Sequence, residues 1–153
     1  MRKRLFVICL VLGLWACDDT YYSGSTVPYA HVRYTVYITT EYPHFIADNG
    51  FQTLPPVTKK RYDTDYIGYA GLLIWVGMDN AYHAADLCCP HCLKPSQPVY
   101  VDGIYAVCPV CDEAFDLSYG YCSPLHGTAK TPLKTYTARV QQKPTGVELY
   151  ISN

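Results

Sequence analysis

Two pairs of cysteines constrain this chain more than any other feature: Cys89-Pro90-His91-Cys92 and Cys108-Pro109-Val110-Cys111, with fifteen residues between them. Thiols two residues apart share one tight turn, a knuckle, and a second knuckle facing the first closes four sulfur ligands around one small centre. The intervening segment has room for a short hairpin and little else. A pair of disulfides in an exported protein would use the same spacing, so both closures stay open at this point.

At 153 residues the chain suits one domain with its own core. Half of its residues are hydrophobic, only 16% are charged, and sixteen are tyrosine, a balance that favours strands over helices. The formal charge is −1, and removing Arg2, Lys3 and Arg4 with a leader would take it to −4. Such a surface has no basic field for nucleic acid.

Residues 1–16 read as an address. Arg2, Lys3 and Arg4 precede a twelve-residue apolar run, Leu5 to Ala16, too short for a spanning helix and suited to a signal sequence. The run ends in Leu14-Trp15-Ala16-Cys17, which resembles the lipobox of bacterial lipoproteins. That resemblance implies lipidation of Cys17 and a protein exported and anchored to a bacterial membrane, on the periplasmic side or at the cell surface. An ordinary secretory signal cut nearby is the alternative. Asp18 and Asp19 resemble export signals of some lipoproteins and equally suit the start of a solvated linker. Residues 17–28 then form a tether, and the domain occupies 29–153.

Within the domain, His31 to Ile38 alternates Val32, Tyr34, Val36 and Ile38 with more polar partners, the period of a half-buried strand. Residues 42–61 read as a loop containing Pro43, Asn49-Gly50 and Pro55-Pro56, with Lys59-Lys60-Arg61 as a solvated basic cluster. Leu72 to Val76 is continuously apolar and predicts a buried strand. Ala81 to Leu87 predicts the strand that delivers Cys89. Val99–Val101 and Ile104–Val107 are joined by Asp102-Gly103, a favoured hairpin turn. Lys134–Val140 and Val147–Ile151 flank Pro144-Thr145-Gly146 as a further hairpin. No helix is predicted.

Cys89-Pro90-His91, Cys108-Pro109-Val110 and Phe115-Asp116 together resemble the two-box pattern of Rieske iron–sulfur domains, C-x-H and C-x-x-H-G-x-x-F-D. Gly68 to Ile74 resembles the glycine-rich strand that leads into that pattern. Gly120, Gly127-Thr128-Ala129, Pro132-Leu133 and Tyr136 resemble the segment that returns from it. The resemblance covers about residues 65–142. It implies an all-β, Rieske-like antiparallel β-sandwich with a two-knuckle metal subdomain over about residues 87–127, of rubredoxin or zinc-ribbon type. The second box departs from the family: Cys111 stands where the family has its second histidine, and Asp112 where it has glycine. A thiolate in place of imidazole adds negative charge at the outer iron and lowers its reduction potential.

Two ligand sets follow. Cys89, His91, Cys108 and Cys111 would preserve the Rieske arrangement around a [2Fe–2S] cluster. Cys89, Cys92, Cys108 and Cys111 would make an all-thiolate tetrahedral site for which zinc is the default ion. Exported Rieske proteins resemble cargo folded before export, and Lys3-Arg4-Leu5-Phe6 is only a distant relative of the signal for that route. Zinc can be acquired outside the cytoplasm, which places zinc first and [2Fe–2S] a close second. Cys88 and Cys122 are left over and could form a disulfide or remain buried thiols. His83 and His126 have no ligand partner at motif spacing and are read as non-ligands.

The chain lacks the nucleophile, metalloprotease and phosphate-loop motifs, and its cysteines suit metal better than catalysis. It is too short to hold both a Rieske domain and the catalytic iron domain of an oxygenase. The expectation is a non-enzymatic binding or interaction module with a structural or weakly redox-active centre and an unknown protein or redox partner. The second class is an electron-transfer protein. Cys17→Ser is expected to abolish fatty-acid labelling and to release the domain from membranes, because the apolar run cannot by itself span a bilayer. Metabolic lipid labelling with fractionation checks this, and membrane retention of a label-free native protein refutes it.

Overall fold

The computed structural model describes residues 24–126 and 129–153. The leader, Cys17 and most of the 17–28 tether therefore lie outside the described residues. In chain order the strands are β1 (Val32–Tyr37), β2 (Gln52–Thr53), β3 (Tyr66–Ile67), β4 (Leu72–Val76), β5 (Tyr82–Asp86), β6 (Tyr100–Asp102), β7 (Tyr105–Val107), β8 (Ala114–Asp116), β9 (Pro124–His126), β10 (Thr135–Lys143) and β11 (Gly146–Ser152). One four-residue helix, α1 (Ile38–Glu41), follows β1 directly.

All strand pairs are antiparallel, in a seven-stranded sheet of order β2-β4-β5-β10-β11-β1-β3 and a four-stranded sheet of order β6-β7-β8-β9. The all-β expectation is met. β4 joins the two halves because both of its faces are covered. Leu72, Ile74 and Val76 enter one core with Val32, Val36, Leu149 and Ile151, across which the larger sheet curls onto itself. Leu73 and Trp75 point the other way, into a second core with Leu87, Phe115, Leu117 and Leu133 beneath the smaller sheet. Successive strand side chains alternate faces, so a strand covered on both sides reads as an unbroken apolar run. Trp75 is fully buried, and its indole N–H donates to the Leu117 carbonyl at 2.7 Å, which satisfies its one polar atom.

The predicted strands occur with ends shifted by a residue or two, except that β10 runs three residues past the predicted Val140 to Lys143. The 42–61 segment is more structured than a loop: it carries a 3₁₀ turn at Ala47–Asn49 and β2, and Val57 bridges to Leu72. Arg61 of the basic cluster is not simply solvated. Beyond β3 the β1 edge is open, and there Arg61 donates to the Thr35 carbonyl and to Glu41 Oε1, each at 2.5 Å. α1 went unpredicted because four residues carry no periodicity; Ile38 buries its side chain while Tyr42 N–H closes on its carbonyl.

One charged group sits at the junction of the two halves. Asp86, at the end of β5, is fully buried and accepts four donors: Tyr69 N–H (2.7 Å), Ala70 N–H (3.1 Å), Cys88 N–H (2.8 Å) and the Tyr136 hydroxyl (2.7 Å). Gly68 makes the close approach possible. With φ +82° it is left-handed, and a Cβ there would lie 2.6 Å from Asp86 Oδ2 and 2.8 Å from the Tyr136 hydroxyl. Burial, and then the bond to Asp86 and its charge, hold the Tyr136 phenol well above its ordinary pKa.

Tyr136→Phe is expected to cost about 1.5–3 kcal/mol, the loss of a hydrogen bond to a charged acceptor, and Asp86→Ala about 3–5 kcal/mol. Urea titration should show lower midpoints with unchanged slopes. A phenol whose folded pKa is raised contributes stability that is present below its unfolded value and is lost as pH climbs above it. The fall in stability above about pH 10 should therefore be shallower in Tyr136→Phe.

Candidate metal centre

The first knuckle leaves the end of β5, where Asp86 holds Cys88 N–H, Leu87 N–H donates to Gly71 O at 3.1 Å, and Val99 N–H donates to Leu87 O at 2.9 Å. The second leaves the end of β7 and is closed by Cys108 N–H donating to Glu113 O at 2.9 Å. The two knuckles repeat one conformation. In each, the residue after the second cysteine donates back to the carbonyl of the first: Leu93 N–H to Cys89 O and Asp112 N–H to Cys108 O, both at 3.0 Å. That residue is left-handed in each, Leu93 with φ 53° and Asp112 with φ 57°. In each, the first cysteine's sulfur accepts from the backbone N–H groups two and three residues on, His91 and Cys92 for Cys89, Val110 and Cys111 for Cys108. Pro90 and Pro109 occupy the one position of the turn that has no N–H to give, with φ already near the required value.

This geometry brings the Sγ atoms of Cys89, Cys92, Cys108 and Cys111 within 4.8 Å of one another. Across the knuckles, Cys89 lies 3.9 Å from Cys111 and Cys108 lies 3.9 Å from Cys92. A tetrahedral ion with bonds of about 2.3 Å separates its sulfurs by about 3.8 Å. The set can therefore hold one metal ion. Cys89 and Cys108 are buried, while Cys92 and Cys111 are half-buried, so the site opens to one side.

The thiols do not ionise independently. Burial and then the neighbouring thiols push Cys89 up, and the same causes push Cys92 up to about 12. Burial opposes ionisation of Cys108 too, but the N–H groups of Val110 and Cys111 and the adjoining thiols outweigh it and hold Cys108 below its ordinary value. Four thiolates this close repel one another, and a divalent cation is what lets all of them ionise together.

His91, the ligand of the alternative set, is exposed and stands outside the group of four. It borders a shallow depression of about 400 Å³ shared with Thr26, Pro90, Leu93 and Lys130. Cys88 and Cys122 are buried and unbridged. Cys88 Sγ faces the Cys89 carbonyl at 3.6 Å and Cys122 Sγ the Gly120 carbonyl at 3.8 Å. Burial, with the Asp86 charge second, pushes Cys88 up to about 11, and burial pushes Cys122 up to about 12. His83 has a carboxylate partner that motif spacing did not suggest: Asp79, four residues earlier, at 3.0 Å, while its ring packs 5.3 Å from Trp75. The His126 side chain lies outside the described set.

No family model matches the sequence, and no curated protein matches it. Among solved structures, a ferredoxin from Sphingomonas yanoikuyae B1 aligns with 71% of this chain and 93% of its own length, at 18% identity and a TM-score of 0.41.

Cys92→Ser is expected to lose metal and more than about 3 kcal/mol of stability, because the ion's binding energy is folding energy. His91→Ala is expected to keep both. Metal analysis with thermal unfolding compares the two, and the reverse ranking would favour the ligand set that contains His91.

Proposed function

We propose that this chain is a lipid-anchored, non-enzymatic interaction module of Rieske-like fold whose four thiolates hold a single zinc-type ion as a structural centre. The observation that carries the reading is the compactness of the sulfur group. All four lie within 4.8 Å, close to the edge of a tetrahedron around one ion. A [2Fe–2S] cluster divides its terminal ligands between two irons, so ligands on different irons must stand further apart than ligands on one. His91, the ligand that would preserve the Rieske arrangement, is exposed.

The bound ion would supply a crosslink. The smaller sheet has three-residue strands, so a tie between the ends of β5 and β7 adds folding free energy to the apolar burial beneath it. The four thiolates are then occupied, and none is left as a nucleophile. The resemblance of Gly68–Ile74, Phe115-Asp116 and Tyr136 to Rieske positions supports the fold-family reading, and the sequence around Cys17 supports the anchor.

Protein purified without air should contain one zinc per chain and should be colourless. Cobalt should replace the zinc and give thiolate-to-metal charge-transfer absorption. A red-brown protein with two irons and labile sulfide per chain would replace this reading with electron transfer. A metal-free protein that resists thiol alkylation would replace it with disulfides.

A further inference from the structure

The N-terminal approach to the domain does not run to the hairpin end of the molecule. Thr26 Oγ1 donates to the Pro90 carbonyl, inside the first knuckle, and Val27 is buried. Lys134 Nζ then donates to the carbonyls of Val27 (3.4 Å) and Pro28 (2.9 Å), which fastens the segment beside the start of β10. The chain thus enters the fold at the metal end. From Cys17 to Thr26 there are nine residue steps, and a fully extended chain of that length reaches about 30 Å. A lipid on Cys17 therefore holds the point of entry, beside the first knuckle, within about 30 Å of the bilayer.

The same end carries apolar side chains that no core claims. Leu93, just past the first knuckle's second cysteine, is 40% exposed, and Val110, at the tip of the second knuckle, is 37% exposed. Lys94 follows Leu93, and Lys130 shares with it the depression beside Pro90; both lysines are exposed. Apolar tips flanked by lysines match the boundary between acyl chains and anionic headgroups, where the tips enter the first and the ammonium groups stay in the second. The β10–β11 turn lies seven residues up β10 from Tyr136, about 23 Å at strand spacing.

We infer that the knuckle end is the membrane-facing surface of this protein, with Leu93 and Val110 resting at the lipid interface and Lys94 and Lys130 on anionic headgroups. The inference rests on the anchor and metal readings given above, because the anchor sets the distance and the ion holds the two tips in place.

The full lipidated chain, in vesicles of phosphatidylethanolamine and phosphatidylglycerol, gives a direct test. Trp75 is the one tryptophan after Cys17 and is fully buried, so a second tryptophan reports its own surroundings. Val110→Trp should lose emission when the vesicles contain brominated acyl chains, and Gln142→Trp should not. In the unsubstituted protein, amide exchange over residues 90–94 and 109–112 should slow on vesicles relative to detergent. No quenching at position 110 together with unchanged exchange, or equal quenching at both positions, overturns the proposal. Zinc content and lipid mass are measured on the same samples. A chain with lipid and zinc that shows no contact sinks the orientation alone, whereas absent lipid or absent zinc removes its premise.

Discussion

The carboxylate of Asp86 is the group on which the rest of the arrangement depends. It is fully buried and takes its solvation from four protein donors on three separate stretches of chain. Tyr69 and Ala70 come from the turn into β4, Cys88 from the start of the first knuckle, and Tyr136 from β10. A buried charge tolerates little displacement of its donors, since each lost bond leaves desolvation uncompensated. Asp86 therefore fixes where β5 ends and at what angle the chain enters the knuckle. Gly68 belongs to the same constraint, because its missing side chain is what lets the carboxylate and the phenol close on each other.

The four-cysteine cluster is built on that fixed end. The backbone already presents two matching turns, each with N–H groups aimed at the leading sulfur and each ending in a left-handed residue. Left-handed leucine and aspartate cost backbone energy that glycine would not. They stand in both knuckles directly after the second cysteine, where the turn closes on the carbonyl of the first. The hydrogen bonds Leu93 N–H to Cys89 O and Asp112 N–H to Cys108 O offset that cost from within each turn.

Much of this was legible in the sequence, and what was not has physical reasons. The alternation in Val32–Ile38, the apolar run Leu72–Val76 and the Asp102-Gly103 turn each carry a local signal, and each gave its element within a residue or two. The cysteine spacing indicated two knuckles without choosing between His91 and Cys92, since both lie within reach of the same turn. The direction each side chain takes out of the turn settles which one faces the other cysteines, and direction is not written in spacing. β2 and β3 are two residues each and exist because a neighbouring edge accepts them. Asp86 and Asp79 belong to no sequence motif, and only the folded neighbours reveal that one is buried and the other paired with His83.

The two-sided burial of β4 has a consequence for how the molecule comes apart. Leu72, Ile74 and Val76 serve one core while Leu73 and Trp75 serve the other, along the same five residues of backbone. Disorder that begins beneath the small sheet must pull Trp75 out of place, and it cannot do so without moving the peptide units on either side. The two halves thus share a single cooperative unit, although one carries the four clustered cysteines and the other does not. Unfolding followed at Trp75 and unfolding followed at the four clustered thiols should trace the same curve, because the base sheet packs against that site through Leu73, Trp75 and Ala85.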